Sequence, residues 1–230
     1  MSSELIVLGI VLLLLCAGFV FLFLRAFYRK SFVMALVFKG LASLCFVVFG
    51  GVNCFCGEFS YTKLIIFIGL CFGIFGDEII ALCQIFPERD TLAFVGGGAF
   101  FIVGHAFYII ALFLIGVPSW VALAVAFLLF VALSLLYARF RGFLSGEMRV
   151  PLALYLMVVV FVAALAVGAF FSRVSVGAAL FALGGVFFAV SDNILFAYKK
   201  GENPKFFQNI LLHVAYYLAQ SAIAWSISLL

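Results

Sequence analysis

Apolar residues in this chain do not alternate with polar ones. They run for about 20 residues at a time and are interrupted by short polar breaks. The apolar blocks fall at 4–24, 32–52, 62–85, 92–115, 118–137, 150–171, 175–198 and 208–229. A helix of that length crosses a hydrocarbon core of about 30 Å, and a spanning segment must satisfy its own backbone, so each block predicts a transmembrane α-helix. The expected fold class is all-α, a polytopic membrane protein of eight helices in a single membrane domain over 1–230. The fourth and fifth blocks are separated by little more than Gly116, Val117 and Pro118, which predicts a tight turn. The first block has no basic residue before it and Arg25, Arg29 and Lys30 after it, so it reads as a retained span rather than a cleaved signal.

Composition removes the soluble alternatives. Hydrophobic residues make up 69% of the chain and charged residues 10%, against roughly 25% charged in a soluble domain. The net charge of +4 reports orientation rather than an acidic partner, and no nucleic acid is called for. Loops after the first, third, fifth and seventh blocks hold ten basic residues: Arg25, Arg29, Lys30, Arg89, Arg139, Arg141, Arg149, Lys199, Lys200 and Lys205. The opposite side has Lys63 and Arg173. This asymmetry predicts that the basic loops are cytoplasmic and both termini outside, and a seven- or nine-span reading would scramble it. Six cysteines show no C-x-x-C spacing and mostly lie in apolar blocks, where they pack as small hydrophobes. Cys54 and Cys56, read as loop residues, leave redox chemistry open.

The halves of the chain resemble one another. Gly69 to Asp77 overlays Gly184 to Asp192, with glycine eight residues before aspartate in each, and His105 to Tyr108 overlays His213 to Tyr216. Such matches in corresponding blocks read as a four-plus-four repeat, whose halves would share an orientation and set both aspartates at similar depth. Each match is short, and Phe/Gly-rich spans also resemble one another by chance, so both explanations stand at this level.

An ionisable residue inside a span is a functional hypothesis by default. Those available are Lys39, Asp77, Glu78, His105, Asp192 and His213. All but the more central His105 fall toward the side expected to be cytoplasmic. Tyr155, Ser191, Asn193, Tyr216, Tyr217 and Gln220 add hydrogen-bonding groups on or near that side. A shared pocket opening toward the cytoplasmic leaflet is the economical explanation. Plainer roles compete: Lys39 snorkelling to headgroups, Glu78 reaching the interface, the histidines packing, and the tyrosine pair joining an interfacial belt. Asp77 and Asp192 are too short to snorkel and are the only aspartates within blocks. Two carboxyl groups in a partly desolvated pocket do not both ionise readily, which leaves an acid beside a carboxylate, the equipment for hydrolysing an acid-labile C–O bond. Lys39 offers a partner for a carboxylate or a phosphate. No His/carboxylate spacing demands a metal.

At these residues the chain resembles the YhhN family of membrane lysoplasmalogenases, which includes the eukaryotic transmembrane lysoplasmalogenases. The resemblance runs through Lys39-Gly40-Leu41, Gly76-Asp77, the segment Gly104 to Tyr108, Ser191 to Leu195, and Tyr216 to Gln220. Two positions depart from it: Gly40 stands where the family often has proline, and Glu78 where it has an apolar residue, adding a third carboxyl group. The resemblance implies hydrolysis of the vinyl ether bond of a lysoplasmalogen to a fatty aldehyde and a glycerophospho-ethanolamine or -choline, with a lysophospholipid and the surrounding membrane lipid as partners and without a cofactor. It implies Asp77 and Asp192 as catalytic residues. Lys39 is implied for the phosphate, and His105, Tyr108, Tyr155, Ser191, Asn193, His213, Tyr217 and Gln220 for positioning substrate.

A proton-coupled transporter would also place carboxylates between spans in a duplicated bundle. Its path needs polar groups toward both faces, and here they are sparse in the outer half. An intramembrane aspartyl protease is disfavoured because Ile74 breaks Gly-x-Gly-Asp and Ser191 replaces the tyrosine before the second aspartate.

Overall fold

The computed structural model describes residues 2–56, 58–116, 120–141, 149–199 and 206–230. Its helices are α1 (Ser3–Tyr28), α2 (Phe32–Phe55), α3 (Tyr61–Ile85), α4 (Asp90–Ile115), α5 (Trp120–Arg141), α6 (Arg149–Ser172), α7 (Val176–Lys199) and α8 (Phe206–Ser226). Each coincides with one apolar block, and no strand occurs among the described residues. Among the described residues, seven helices are long and apolar enough to cross a membrane. The apolar stretch described in α5, Trp120–Leu136, is shorter. Val117, Pro118, Lys200 and Lys205 lie outside the described residues.

The helix ends follow from local chemistry. Ser2 caps α1, its Oγ accepting from the Leu5 amide at 3.4 Å, and Ser175 caps α7, accepting from the Ala178 amide at 3.1 Å. The α1–α2 turn is a Schellman motif: the Lys30 amide donates to Phe27 O at 2.9 Å and the Ser31 amide to Ala26 O at 3.0 Å. It places Lys30 at φ 58°, the left-handed conformation that glycine usually fills. Helix α2 runs past its expected end because Phe55 and its predecessors keep their i−4 bonds, with the Cys56 amide closing on Val52 O at 2.8 Å. Cys54 is therefore a buried helical residue, which corrects its reading as a loop thiol; Cys56 is exposed, and neither is in a disulfide.

With lipid as solvent, helices associate through close van der Waals packing and polar contacts rather than through the hydrophobic effect. The α3–α4 seam shows this in its glycines. A methyl built on Gly69 would collide with the Tyr108 ring and sit 3.1 Å from Gly104 O, and one on Gly76 would lie 2.9 Å from Gly97 O. The backbones approach this closely only because those side chains are missing.

Packing relations recur between the halves. In sequence order α1 packs on α2, α2 on α3 and α3 on α4, as α5 does on α6, α6 on α7 and α7 on α8. Across the halves, α2 meets α8 and α6 meets α4, the exchange that a pseudo-two-fold axis would generate. The halves differ at their outer helices: α1 also touches α8, whereas α5 makes no contact with α4 among the described residues.

Candidate functional site

Two carboxyl groups occupy corresponding positions along α3 and α7. Asp77 is 6% exposed and Asp192 3%. Each is met by a side chain from the preceding helix, and those partners differ. Lys39 of α2, 4% exposed, forms an ion pair with Asp77, its Nζ 2.8 Å from Oδ1. The same ammonium donates to the Asp77 carbonyl at 2.8 Å. Tyr155 of α6 donates its hydroxyl to Asp192 Oδ2 at 2.7 Å. Lys39 is thus turned inward, and the snorkelling alternative does not describe it.

Asp77 has further donors. Ser43 Oγ reaches Oδ2 at 3.1 Å, and the Tyr217 hydroxyl lies 3.2 Å from the same oxygen. Tyr217 is also 3.1 Å from Lys39 O, and Ser43 is 3.4 Å from the Tyr217 hydroxyl. The Asp77 carboxyl thus gathers an ammonium and up to two hydroxyls in a buried site, with the one Tyr217 proton serving either Asp77 Oδ2 or Lys39 O. Asp192 receives one phenol and no cation among the described residues. Sequence reasoning missed Ser43; it sits one helical turn from Lys39, so the i, i+4 relation puts both on the face of α2 that meets α3.

Both aspartates line one cavity of about 110 Å³. Lys39, Ser191, His213 and Tyr216 share its polar wall, while Phe23, Phe27, Phe94 and Phe101 supply aromatic surface. Gln84 and Asn209 also line it. These come from the C-terminal halves of α1, α3 and α7 and the N-terminal halves of α2, α4 and α8, so the cavity lies toward the end of the bundle where the α1–α2, α3–α4 and α7–α8 connections lie. Arg29, Lys30 and Arg89 belong to two of those connections.

Of the other residues singled out from sequence, His105, Tyr108, Tyr217 and Gln220 stand behind this cavity. His105 is buried, its Nδ1 2.8 Å from Phe101 O and its ring 4.4 Å from that of Phe188; it does not line the cavity. His213 repeats the same i−4 bond, with Nδ1 2.8 Å from Asn209 O, but its ring faces Phe23 at 4.6 Å and does reach the cavity. Tyr108 donates to Gln220 Oε1 at 3.1 Å, Gln220 Nε2 donates to the Tyr216 hydroxyl at 3.4 Å, and Tyr216 donates to Gly73 O at 3.1 Å. This relay ties α4, α8 and α3 together beneath the site. A side chain on Gly73 would occupy the space of the Gln220 amide. Tyr216 and Tyr217 are both buried, which sets aside an interfacial belt. Asn193 is half-buried and donates to Ala189 O at 2.7 Å on its own helix.

Glu78 turns away from Asp77 toward α2. A methyl on Gly40 would lie 3.4 Å from Glu78 Oε2, and Glu78 Oε1 is buried without a hydrogen-bond partner. The two positions at which the chain departs from the resemblance are therefore neighbours.

Among the described residues no group of three or more His, Cys, Asp or Glu side chains is placed to hold a metal. The YhhN family profile matches residues 34–227, from the second residue after Phe32 at the start of α2 through α8. The chain belongs to the YhhN family. No curated protein and no solved structure matches it. The YhhN match takes in every polar residue of the cavity wall, while α1, which contributes Phe23 and Phe27, lies outside it.

Proposed function

We propose that this YhhN-family protein is a lysoplasmalogenase-like hydrolase that cleaves the vinyl ether bond of a single-chain plasmalogen. One observation carries the reading: two buried carboxyl groups line one cavity, one paired with an ammonium and the other with a phenol alone. The pairing divides the labour. Asp77 remains a carboxylate. Asp192, buried without a cation, is less costly to keep as a carboxylic acid.

In the reaction Asp192 gives its proton to the β-carbon of the vinyl ether. The C=C electron pair forms the new C–H bond, and an oxocarbenium ion develops on the α-carbon and ether oxygen. The fixed anion of Asp77 stabilises that cation. Water adds to the α-carbon and releases its proton to the Asp192 carboxylate, restoring the acid. The hemiacetal then collapses on the restored acid: the Asp192 O–H protonates the glycerol oxygen as the C–O bond to glycerol breaks, and the other Asp192 oxygen takes the hemiacetal hydroxyl proton, giving a fatty aldehyde and glycerophospho-alcohol and leaving Asp192 protonated. One water is consumed and no electrons are exchanged. Lys39 spends two of its three N–H donors on Asp77, leaving one for the substrate phosphate.

The test is aldehyde release from lysoplasmenylethanolamine by purified protein in detergent, beside Asp77→Asn and Asp192→Asn. Release by the wild type and loss in both variants is expected. A folded wild type that releases no aldehyde would overturn the assignment.

A further inference from the structure

A second cavity of about 110 Å³ lies between α4 and α6. Its lining is apolar apart from Tyr155, with Ile80, Phe94, Ile102, Leu152 and Leu195 among its walls. Ile80, Phe94 and Leu195 also line the cavity that holds the aspartates, so these three side chains are a common partition. Tyr155 connects the two in another way: its hydroxyl is on Asp192 while its ring faces the apolar space. The rim residues Val95, Ala99 and Pro151 are exposed on the flank of the bundle. The space therefore opens sideways, where a bilayer presents hydrocarbon.

From this geometry we propose that the α4–α6 groove holds the hydrocarbon chain of the lipid whose polar end sits at Asp77 and Asp192. The inference rests on the vinyl ether reading for the chain's identity. The reacting carbons are the first two of the chain, so a chain starting at the Asp192 carboxyl has to cross only the shared Ile80, Phe94 and Leu195 side chains to lie in the groove beside Tyr155. From Phe94 to Ile102 the groove follows α4 for about 12 Å at the helical rise. An apolar lining leaves water without partners, so hydrocarbon is the favoured occupant. Lateral opening lets a membrane lipid enter without lifting its chain out of the bilayer.

Gly98 provides the test. A methyl there would lie 3.8 Å from the Tyr155 ring, an ordinary contact, so Gly98→Ala should leave the groove open and Gly98→Leu should fill it. The probe is a lysophospholipid with a saturated ether link, which cannot be hydrolysed, and a photoreactive diazirine at mid-chain. Adducts located by mass spectrometry are expected on the Val95–Ile102 and Leu152–Tyr155 stretches of wild type and Gly98→Ala, and to fall about tenfold in Gly98→Leu, the loss of roughly two buried methylenes. In the hydrolysis assay Gly98→Leu should raise KM for a long-chain substrate by a similar factor and affect a four-carbon analogue much less, and a melting temperature in detergent close to that of Gly98→Ala shows that the variant is folded. Adducts elsewhere in the bundle, or adducts indifferent to Gly98→Leu, would overturn the groove assignment. Because labelling needs no hydrolysis, groove adducts without aldehyde release would retain the chain site and reject the vinyl ether reading. Aldehyde release without groove adducts would do the reverse.

Discussion

Removing Lys39 tests the ion pair on which the division of roles depends. Lys39 and Asp77 are 4% and 6% exposed, with Nζ and Oδ1 at 2.8 Å. Truncating one member of a buried pair leaves the other charge stranded, at a cost of about 3–5 kcal/mol, a large share of a domain stability of roughly 5–15 kcal/mol. Lys39→Met and Asp77→Leu should each destabilise by that amount. The double variant replaces both charges with apolar groups, and the two hydroxyls that served Asp77 keep partners: Ser43 lies 3.4 Å from the Tyr217 hydroxyl, and Tyr217 lies 3.1 Å from Lys39 O, a backbone atom that survives substitution. Two lost hydrogen bonds cost about 1 kcal/mol each, so the double variant should sit roughly 2 kcal/mol below wild type, well above the 6–10 expected from adding the single changes. Unfolding free energies in mixed micelles, titrated with denaturing detergent, give all four corners of the cycle. All three variants should be inactive, and the folded but inactive double variant separates chemistry from stability. Additive destabilisation, with no recovery in the double variant, would refute a buried ion pair at this position.

The α3–α4 seam predicts that Gly69→Ala, whose methyl meets the Tyr108 ring, destabilises by about 1–3 kcal/mol. Gly18→Ala, with no neighbouring atom within 4 Å, should stay within about 1 kcal/mol of wild type; melting both in detergent compares them. Lys30→Gly should raise stability by about 1 kcal/mol, because it relieves a left-handed residue in the α1–α2 Schellman turn. Maleimide labelling of intact protein should modify the exposed Cys56 well before Cys54, which is 1% exposed; equal rates would mean that α2 ends short of Cys54.

The helices were legible because length and hydropathy alone specify a span in a bilayer, and the same signal located both aspartates as anomalies. The partners of those aspartates were less legible. Lys39 reads as a partner for a carboxylate or a phosphate, but nothing in the sequence ties Tyr155 to Asp192, and only the packing of α2 on α3 and α6 on α7 shows that the two hold equivalent places. Sequence periodicity identifies which face of a helix is polar, not which helix it meets, so nothing in the sequence sets Ser43 on Asp77 or Glu78 beside Gly40. Cys54 fell outside the second block because that block ends at residue 52, whereas the helix continues to Phe55 and the buried Asn53 is held there, its side-chain amide donating to Ala224 O at 3.3 Å.

The repeated framework supplies the closing prediction. If the halves began with equivalent carboxyl groups, their present difference lies in what the neighbouring helix offers: an ammonium on α2 and a phenol on α6. Tyr155→Phe removes one hydrogen bond from Asp192 and should slow aldehyde release about tenfold, the effect of roughly 1.4 kcal/mol on the barrier, without moving the fold. Tyr155→Lys makes the second site resemble the first. An ammonium at that position would pair with Asp192 as an anion and leave the cavity without a proton donor, so activity should be lost far beyond the Phe variant even though a potential hydrogen-bond donor has been restored. A positioning or packing role for Tyr155 predicts the opposite order, with Lys rescuing part of what Phe loses. The ranking of the two variants, measured against protein of equal melting temperature, therefore distinguishes a site that depends on an uncharged Asp192 from one that needs only a donor beside it.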